Sequence, residues 1–99
     1  MSITIDHQPL QITPLRYLDL ESGDALEALV VPLLEAGTEV VADLSEVTFA
    51  DSSGIGALIA IHQVATERGA RFVLAAPSRH VRQLLTMTGL TDFFTIADG

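Results

Sequence analysis

The stretch Asp51–Gly56, which reads Asp-Ser-Ser-Gly-Ile-Gly, lies between a strand-like run and a helix-like run. The strand-like residues 40–44, Val-Val-Ala-Asp-Leu, precede it, and an apolar run from Ile55 to Ala65 follows that is long enough for a helix. The first N–H groups of a helix lack partners within it, and the helix dipole is positive at that end. Aspartate and serine satisfy such N–H groups, so one interpretation is a helix N-cap. Because the same place favours negative charge, the other is a phosphorylated serine.

Composition limits the classes of function. The chain has 99 residues, which predicts a single domain over residues 1–99. Its net charge is −8, with five arginines and no lysine, which argues against a nucleic-acid partner or an anionic membrane. With no cysteine there is no thiolate chemistry, and His7, His62 and His80 show no metal-ligand spacing. The sequence therefore predicts no metal and no cofactor.

The sequence also bears on where the protein acts. The N-terminus lacks a basic region followed by an apolar one, which is the pattern of a signal peptide. No apolar run approaches the roughly 18–20 residues of a membrane span. We therefore expect a cytoplasmic protein without direct membrane insertion.

Periodicity and turn residues predict the order β-β-α-β-α-β-α-β, typical of an α/β layer structure. The predicted strands are Ser2–Asp6, Leu10–Leu18, Glu39–Leu44, Arg71–Ala75 and Phe93–Ile96, and the predicted helices are Asp24–Ala36, Ser53–Glu67 and Arg79–Thr88. A strand–helix–strand crossover of this length predicts that the strands Glu39–Leu44 and Arg71–Ala75 are adjacent and parallel.

Several residues predict where these elements begin, end or bend. The first two strands should form a hairpin, with an edge or bulge at Pro14. Ser22 is the expected N-cap of the first helix and Gly37 its stop, with an irregular last turn at Pro32. Gly69 and Gly89 are the expected ends of the other two helices.

The helix Ser53–Glu67 carries two apolar stripes at helical spacing. One is Ile55, Leu58, Ile59, His62 and Ala65, and the other is Ala57, Ala60, Ile61 and Val64. The second stripe is either buried, with the helix packed on two sides, or exposed as a docking surface. Gly54 and Gly56, in the first turns, would let another backbone or a partner approach closely.

The familiar enzyme motifs fit this chain poorly. A nucleophile elbow needs a glycine two residues before the serine, but Ala50 precedes Asp51 and Ser52. A Walker loop needs a lysine, and Gly54 and Gly56 supply only two of the three glycines of a dinucleotide fingerprint. Asp43 and Asp51 are eight residues apart, where solvation in loops is favoured over acid–base work. We predict that the protein is not an enzyme.

Two segments resemble the STAS domain of the anti-sigma factor antagonist family. Residues 41–58 match its centre, an apolar strand, a connector ending in Phe49, and then Asp-Ser-Ser-Gly-apolar-Gly. Residues 78–90 resemble its last helix with a Gly-Leu end. The order of elements fits over almost the whole chain. The resemblance implies a mixed sheet of four or five strands with helices packed mainly on one face.

The resemblance also implies a partner-switching role in the regulation of transcription. The unmodified domain would bind an anti-sigma factor, often a serine-protein kinase, and release it when the kinase phosphorylates the serine after the motif aspartate. A metal-dependent serine phosphatase would reverse this. By position that serine is Ser52, with Ser53 as the alternative. The expected partner-binding residues are the start of the helix and its second stripe, namely Asp51, Ser52, Ser53, Gly54, Gly56, Ala57, Ala60, Ile61 and Val64.

The chain departs from the family pattern before the first helix. Many members carry Gly-x-Leu-Asp there, whereas Arg16-Tyr17-Leu18-Asp19 keeps Leu-Asp without the glycine. A second hypothesis is a non-catalytic accessory subunit of a lipid-transport ABC ATPase, in which Ser52 would be only a cap. The intact Asp-Ser-Ser-Gly motif favours the phosphorylation switch over this alternative.

Overall fold

A computed structural model of the chain describes residues 2–4, 9–13 and 15–98. Its main sheet has five strands in the order β1-β2-β4-β6-β7. These are β1 (Ser2–Thr4), β2 (Leu10–Thr13), β4 (Glu39–Asp43), β6 (Arg71–Ala75) and β7 (Thr95–Ala97). The strand β1 is antiparallel to β2, which confirms the hairpin, while the other neighbouring pairs are parallel. The prediction at Pro14 and the end of the predicted strand Ser2–Asp6 lie outside the described residues.

The predicted crossover is present. The strands β4 and β6 are parallel neighbours in register, with Val41 opposite Val73. The helix α2 (Ser52–Arg68) joins them and packs against β6. Side chains alternate along β4, where Val40 and Ala42 are buried and their neighbours are half-exposed. One face of the sheet therefore carries the core, as expected when helices cover mainly that side.

The glycines predicted to end the second and third helices do so. Gly69 follows α2 with φ +73°, and Gly89 follows α3 (Arg79–Met87) with φ +70°. After Gly89, Leu90 donates its N–H to the Leu85 carbonyl at 2.9 Å, the bond that closes a Schellman motif. Thr88, the last residue of the predicted third helix, is exposed and is the C-cap of α3.

The first helix differs from its prediction at both ends. The helix α1 spans Leu20–Val30, and its N-cap is Asp19, not Ser22. A 3₁₀ turn, Val31–Leu33, follows α1 and contains Pro32, which confirms the irregular last turn. Gly37 lies in the loop after that turn, so the prediction that it ends the helix was wrong. The Arg68 guanidinium donates to the Val31 carbonyl at 2.9 Å and holds this turn against the end of α2.

Gly23 explains why the start of α1 was misread. Glycine beside serine and aspartate is typical of a turn, but Gly23 is buried inside the helix where α1 crosses α2. A Cβ at this position would lie 2.9 Å from the Ala57 Cβ. The residue therefore allows two helices to come close and does not break one.

Of two very short strands, one was not predicted and the other was predicted only as the end of a longer strand. The strands β3 (Tyr17–Leu18) and β5 (Phe49–Ala50) pair in parallel as a separate two-stranded sheet. The single strand predicted over Leu10–Leu18 is thus two strands in two sheets. At the other end of the chain, β7 begins at Thr95, and Phe93 and Phe94 instead contact the His62 ring at 4.6 and 5.6 Å between ring centres.

In the part of the chain that the structure describes, no helix is both long and apolar enough to cross a membrane.

Candidate functional site

The two-stranded sheet places two aspartates side by side. Because β3 and β5 pair in register, Leu18 lies opposite Ala50, and each strand is followed at once by an aspartate. Asp19 is the N-cap of α1 and Asp51 is the N-cap of α2. The Asp51 N–H donates to the Leu18 carbonyl at 2.9 Å. Two helices therefore begin next to each other at one end of the molecule.

Asp51 confirms the predicted N-cap. One oxygen, Oδ1, accepts hydrogen bonds from the N–H groups of Ser53 at 3.0 Å and Gly54 at 3.1 Å. The Asp51 carbonyl accepts the next N–H, that of Ile55, at 3.1 Å. Three of the first N–H groups of α2 are thus satisfied by one residue.

The two serines of the motif occupy the first two positions of α2, and both are exposed. Their hydroxyl groups make no hydrogen bond to any residue that the structure describes. Among those same residues, the Ser52 N–H also has no acceptor, and the first turn of α2 contains no acidic side chain. This helix start is therefore open to an anionic group.

The two motif glycines have different surroundings. Gly54 is buried, and a Cβ there would lie 2.0 Å from the Leu18 carbonyl oxygen and 2.2 Å from its carbon. It lets α2 begin directly against the backbone of β3. Gly56 is exposed, and a Cβ there would meet no atom of the described residues within 4 Å. Packing within the chain accounts for Gly54, whereas no contact of the described residues requires a glycine at position 56.

The second stripe of α2 is not the exposed surface that one interpretation predicted. Ala57 and Ile61 are buried because α1 packs along this side of α2, so for these two residues the expectation of exposure was wrong. Ala60 and Val64 are half-exposed, and Val64 packs against the core. An accessible surface on this stripe is therefore limited to Ala60 and Val64.

The exposed apolar side chains at this end of the molecule lie elsewhere, and sequence analysis missed them. Tyr17 and Phe49 are 55% and 50% exposed, and they lie opposite each other across β3 and β5. Leu20, at the first position of α1, is 65% exposed. Only the two-residue strands bring Tyr17 and Phe49 together, and strands this short leave almost no periodic signal in a sequence.

At the start of α1, unlike that of α2, a serine hydroxyl takes part in the cap. The Asp19 carboxylate accepts from the backbone N–H of Ser22 at 3.0 Å and from its hydroxyl at 2.8 Å. In return, the Ser22 Oγ accepts the Asp19 N–H at 2.9 Å. These hydrogen bonds stabilise the charged carboxylate and lower the pKa of Asp19. In this capping box the Ser22 hydroxyl is hydrogen-bonded, whereas the serine hydroxyls at the start of α2 are exposed.

The residues that the structure describes contain no group of three or more histidine, aspartate or glutamate side chains that could hold a metal ion.

The fold and this site define a class of protein: an α/β domain with one helix-covered sheet face and an open, serine-bearing helix start at one end. The chain belongs to the STAS domain family, which matches residues 2–99. The family predicted from the resemblance of residues 41–58 and 78–90 is thereby confirmed.

Individual relatives and solved structures agree with this assignment. The anti-sigma-B factor antagonist of Bacillus subtilis (strain 168) is 27% identical over 101 residues, covering 98% of this chain and 93% of that protein. A solved structure of the anti-sigma factor antagonist SpoIIAA in its unphosphorylated form has a TM-score of 0.76 at 19% identity, covering 99% of this chain and 86% of the other. A Thermotoga maritima structure has a TM-score of 0.83 at 22% identity, with the same coverage of both chains. These likenesses confirm the predicted fold.

Proposed function

We propose that this protein is an anti-sigma factor antagonist, a binding module controlled by phosphorylation of Ser52. In its unmodified form it binds an anti-sigma factor, and phosphorylation releases that partner. The family, and relatives such as the Bacillus subtilis antagonist over nearly the full length of both chains, support the first part. The open start of α2 supports the second.

The observation that carries the assignment of Ser52 is its position beside a cap that Asp51 already supplies. Asp51 has already taken the N–H groups of Ser53 and Gly54, so the Ser52 hydroxyl is not needed to cap the helix. It is exposed at the first position of α2 and lies next to a free N–H in the described part of the chain. Ser53 is the alternative acceptor, since it is also exposed.

The proposed modification is an ordinary phosphoryl transfer. The anti-sigma factor acts as the serine kinase, and the Ser52 Oγ attacks the γ-phosphorus of ATP, losing its proton and releasing ADP. A serine phosphatase restores the hydroxyl with water and releases inorganic phosphate. The antagonist supplies only the acceptor oxygen, held on a rigid helix start.

The phosphate should change binding while leaving the fold in place. It adds a charge of roughly −1.5 to −2 at neutral pH. The helix start favours this charge by about 0.3–1 kcal/mol. The neighbouring Asp51 carboxylate and the chain's net charge of −8 oppose it by a comparable, screened amount. These opposing effects nearly cancel, so the free energy of unfolding should change little.

The partner interface responds differently. A surface that accepts a small hydroxyl would have to accommodate and desolvate a dianion beside a carboxylate, which costs several kcal/mol. A loss of about 2.8 kcal/mol already weakens a complex about 100-fold. The partner is therefore released because the phosphate is too large for the interface and costly to desolvate there.

The test is a binding titration of a purified anti-sigma factor from the same genome against four forms of the protein. Ser52→Asp should weaken binding strongly, while the wild type and Ser52→Ala bind alike. Ser45→Asp is the matched control, because Ser45 is exposed in a loop and the change adds the same charge. Equal affinities for Ser52→Asp and Ser45→Asp would refute control through Ser52. If the wild type binds no anti-sigma factor, the proposed function itself fails.

A further inference from the structure

Three exposed apolar side chains lie on β3, on β5 and at the first residue of α1, the elements next to the start of α2. We define this ribbon patch as Tyr17, Leu20 and Phe49, the side chains that β3, β5 and the first residue of α1 expose. Tyr17 and Phe49 face the same side because they are directly opposite in a two-stranded sheet. Phe49 precedes Ser52 by three residues in the sequence. Half-exposed aromatic side chains grouped in this way are typical of an interaction surface, where they act as anchors.

A groove runs from this patch along α1. It is lined by Leu15, Arg16 and Tyr17 on one side and by the first turns of α1, including Glu21 and Ala25, on the other. A second, separate groove lies farther along α1 and is lined by Asp24, Glu27 and Pro32, among others. Ala25 lines the first groove and Ala28 the second, and both are exposed, so this surface of α1 is accessible.

The charged residues that line these grooves are mostly acidic. We define the acidic rim as Glu21, Asp24 and Glu27, which recur every three residues on α1. The helix α1 carries no arginine, and among the described residues Arg16 is the one cation that lines either groove. The other four arginines lie at the end of α2, on β6 and on α3.

From this arrangement we infer that the ribbon patch and the acidic rim form one docking surface for a basic, amphipathic segment of the anti-sigma factor. Its apolar side chains would pack on Tyr17 and Phe49, and its arginines or lysines would face the acidic rim. This inference rests on the proposed function and gives the partner's contact surface a specific chemistry. It also replaces the second stripe of α2, whose Ala57 and Ile61 are buried, as the main apolar contact.

The two parts of the surface should act on different rate constants. Charges at the edge of an interface steer the encounter and mainly set the association rate, which falls as salt screens them. Buried aromatic anchors mainly set the dissociation rate. A phosphate on Ser52 would lie beside the apolar anchors, where desolvation dominates, and should therefore speed dissociation without slowing the encounter.

The experiment measures association and dissociation rates of the purified anti-sigma factor on the immobilised full chain, at low and at physiological salt. Phe49→Ser, with Tyr17→Ser as a second variant, should weaken binding about tenfold or more through faster dissociation. Met87→Ser is the matched control, because Met87 is 81% exposed on α3 and should change the affinity by less than about twofold.

The double variant Glu21→Gln with Asp24→Asn should slow association several-fold at low salt and flatten its salt dependence. Glu67→Gln with Asp92→Asn is the control, since both residues are exposed away from α1 and the change in net charge is equal. Circular dichroism confirms that each variant is folded. The docking surface is refuted if the wild type binds but the patch and rim variants match their controls. Absence of binding by the wild type would instead overturn the proposed function, and this inference with it.

Discussion

The starts of α1 and α2 share a preceding short strand and a capping aspartate, but they differ in whether a nearby serine hydroxyl is hydrogen-bonded to that aspartate. Each follows a two-residue parallel strand, and each is capped by the aspartate after that strand. At α1 the Ser22 Oγ accepts a hydrogen bond from the Asp19 N–H, which completes the capping box. At α2 the Asp51 carboxylate does the capping alone, and two serine hydroxyls stay exposed. A serine near a helix start is therefore either part of the cap or available for modification, and the hydrogen bonds of its neighbours decide which.

The largest effect should come from filling the space that lets α2 start against β3. In Gly54→Ala the new Cβ would lie 2.0 Å from the Leu18 carbonyl oxygen, and backbone cannot move aside cheaply. We expect a loss of about 3 kcal/mol or more in the free energy of unfolding, measured with urea.

Gly56→Ala is the control for Gly54→Ala, because its Cβ would meet no atom within 4 Å in the part of the chain that the structure describes. Alanine is the better helix former, so this variant should gain about 0.5–1 kcal/mol. Equal stabilities for the two variants would mean that α2 does not begin against β3 as described.

Removing the cap of α2 should have an intermediate effect. Asp51→Ala loses the acceptor for the N–H groups of Ser53 and Gly54, and we expect a loss of about 1 kcal/mol in urea unfolding. Asp51→Asn keeps an acceptor oxygen in place and should retain most of the stability. If the alanine variant is as stable as the asparagine variant, a serine hydroxyl has taken over the cap, and the contrast with α1 disappears.

The smallest effect should be a pH dependence at the closed cap. The Ser22 hydrogen bonds lower the pKa of Asp19 in the folded protein below its usual value of 3.8. The ionised carboxylate therefore adds stability above this usual value, and the addition is lost as pH falls through the lowered pKa. In urea titrations the advantage of the wild type over Asp19→Asn should shrink below about pH 4. An advantage that does not change down to pH 2 would contradict the lowered pKa.

Local signals in the sequence predicted the parts of the fold that they control. The crossover from β4 through α2 to β6 followed from element lengths, and Gly69 and Gly89 ended their helices as glycine with positive φ does. The start of α1 was misread because Gly23 is explained by its contact with Ala57, which is distant in sequence. A residue selected by tertiary contact looks the same, in the sequence, as one selected for a turn.

In the candidate site, too, the features set by local sequence were predicted, and those set by tertiary contacts were not. The cap at Asp51 is local, and the sequence identified it correctly. Which stripe of α2 is buried depends on where α1 packs, so the periodicity that marked Ala57 and Ile61 could not decide between core and surface. The exposed pair Tyr17 and Phe49 depends on pairing between two short strands and had no signal to find.

The most direct test of the open helix start is to locate the phosphate after incubation with the cognate kinase and ATP. Trypsin cuts at no residue between Arg16 and Arg68, whereas cleavage after Glu46 and Glu67 isolates residues 47–67, which contain Ser52 and Ser53 but not Ser22. Fragmentation of this peptide by mass spectrometry should place one phosphate on Ser52, and Ser52→Ala should abolish it. Phosphate found only on Ser53 or on Ser22, or none at all with the true kinase present, would contradict the account.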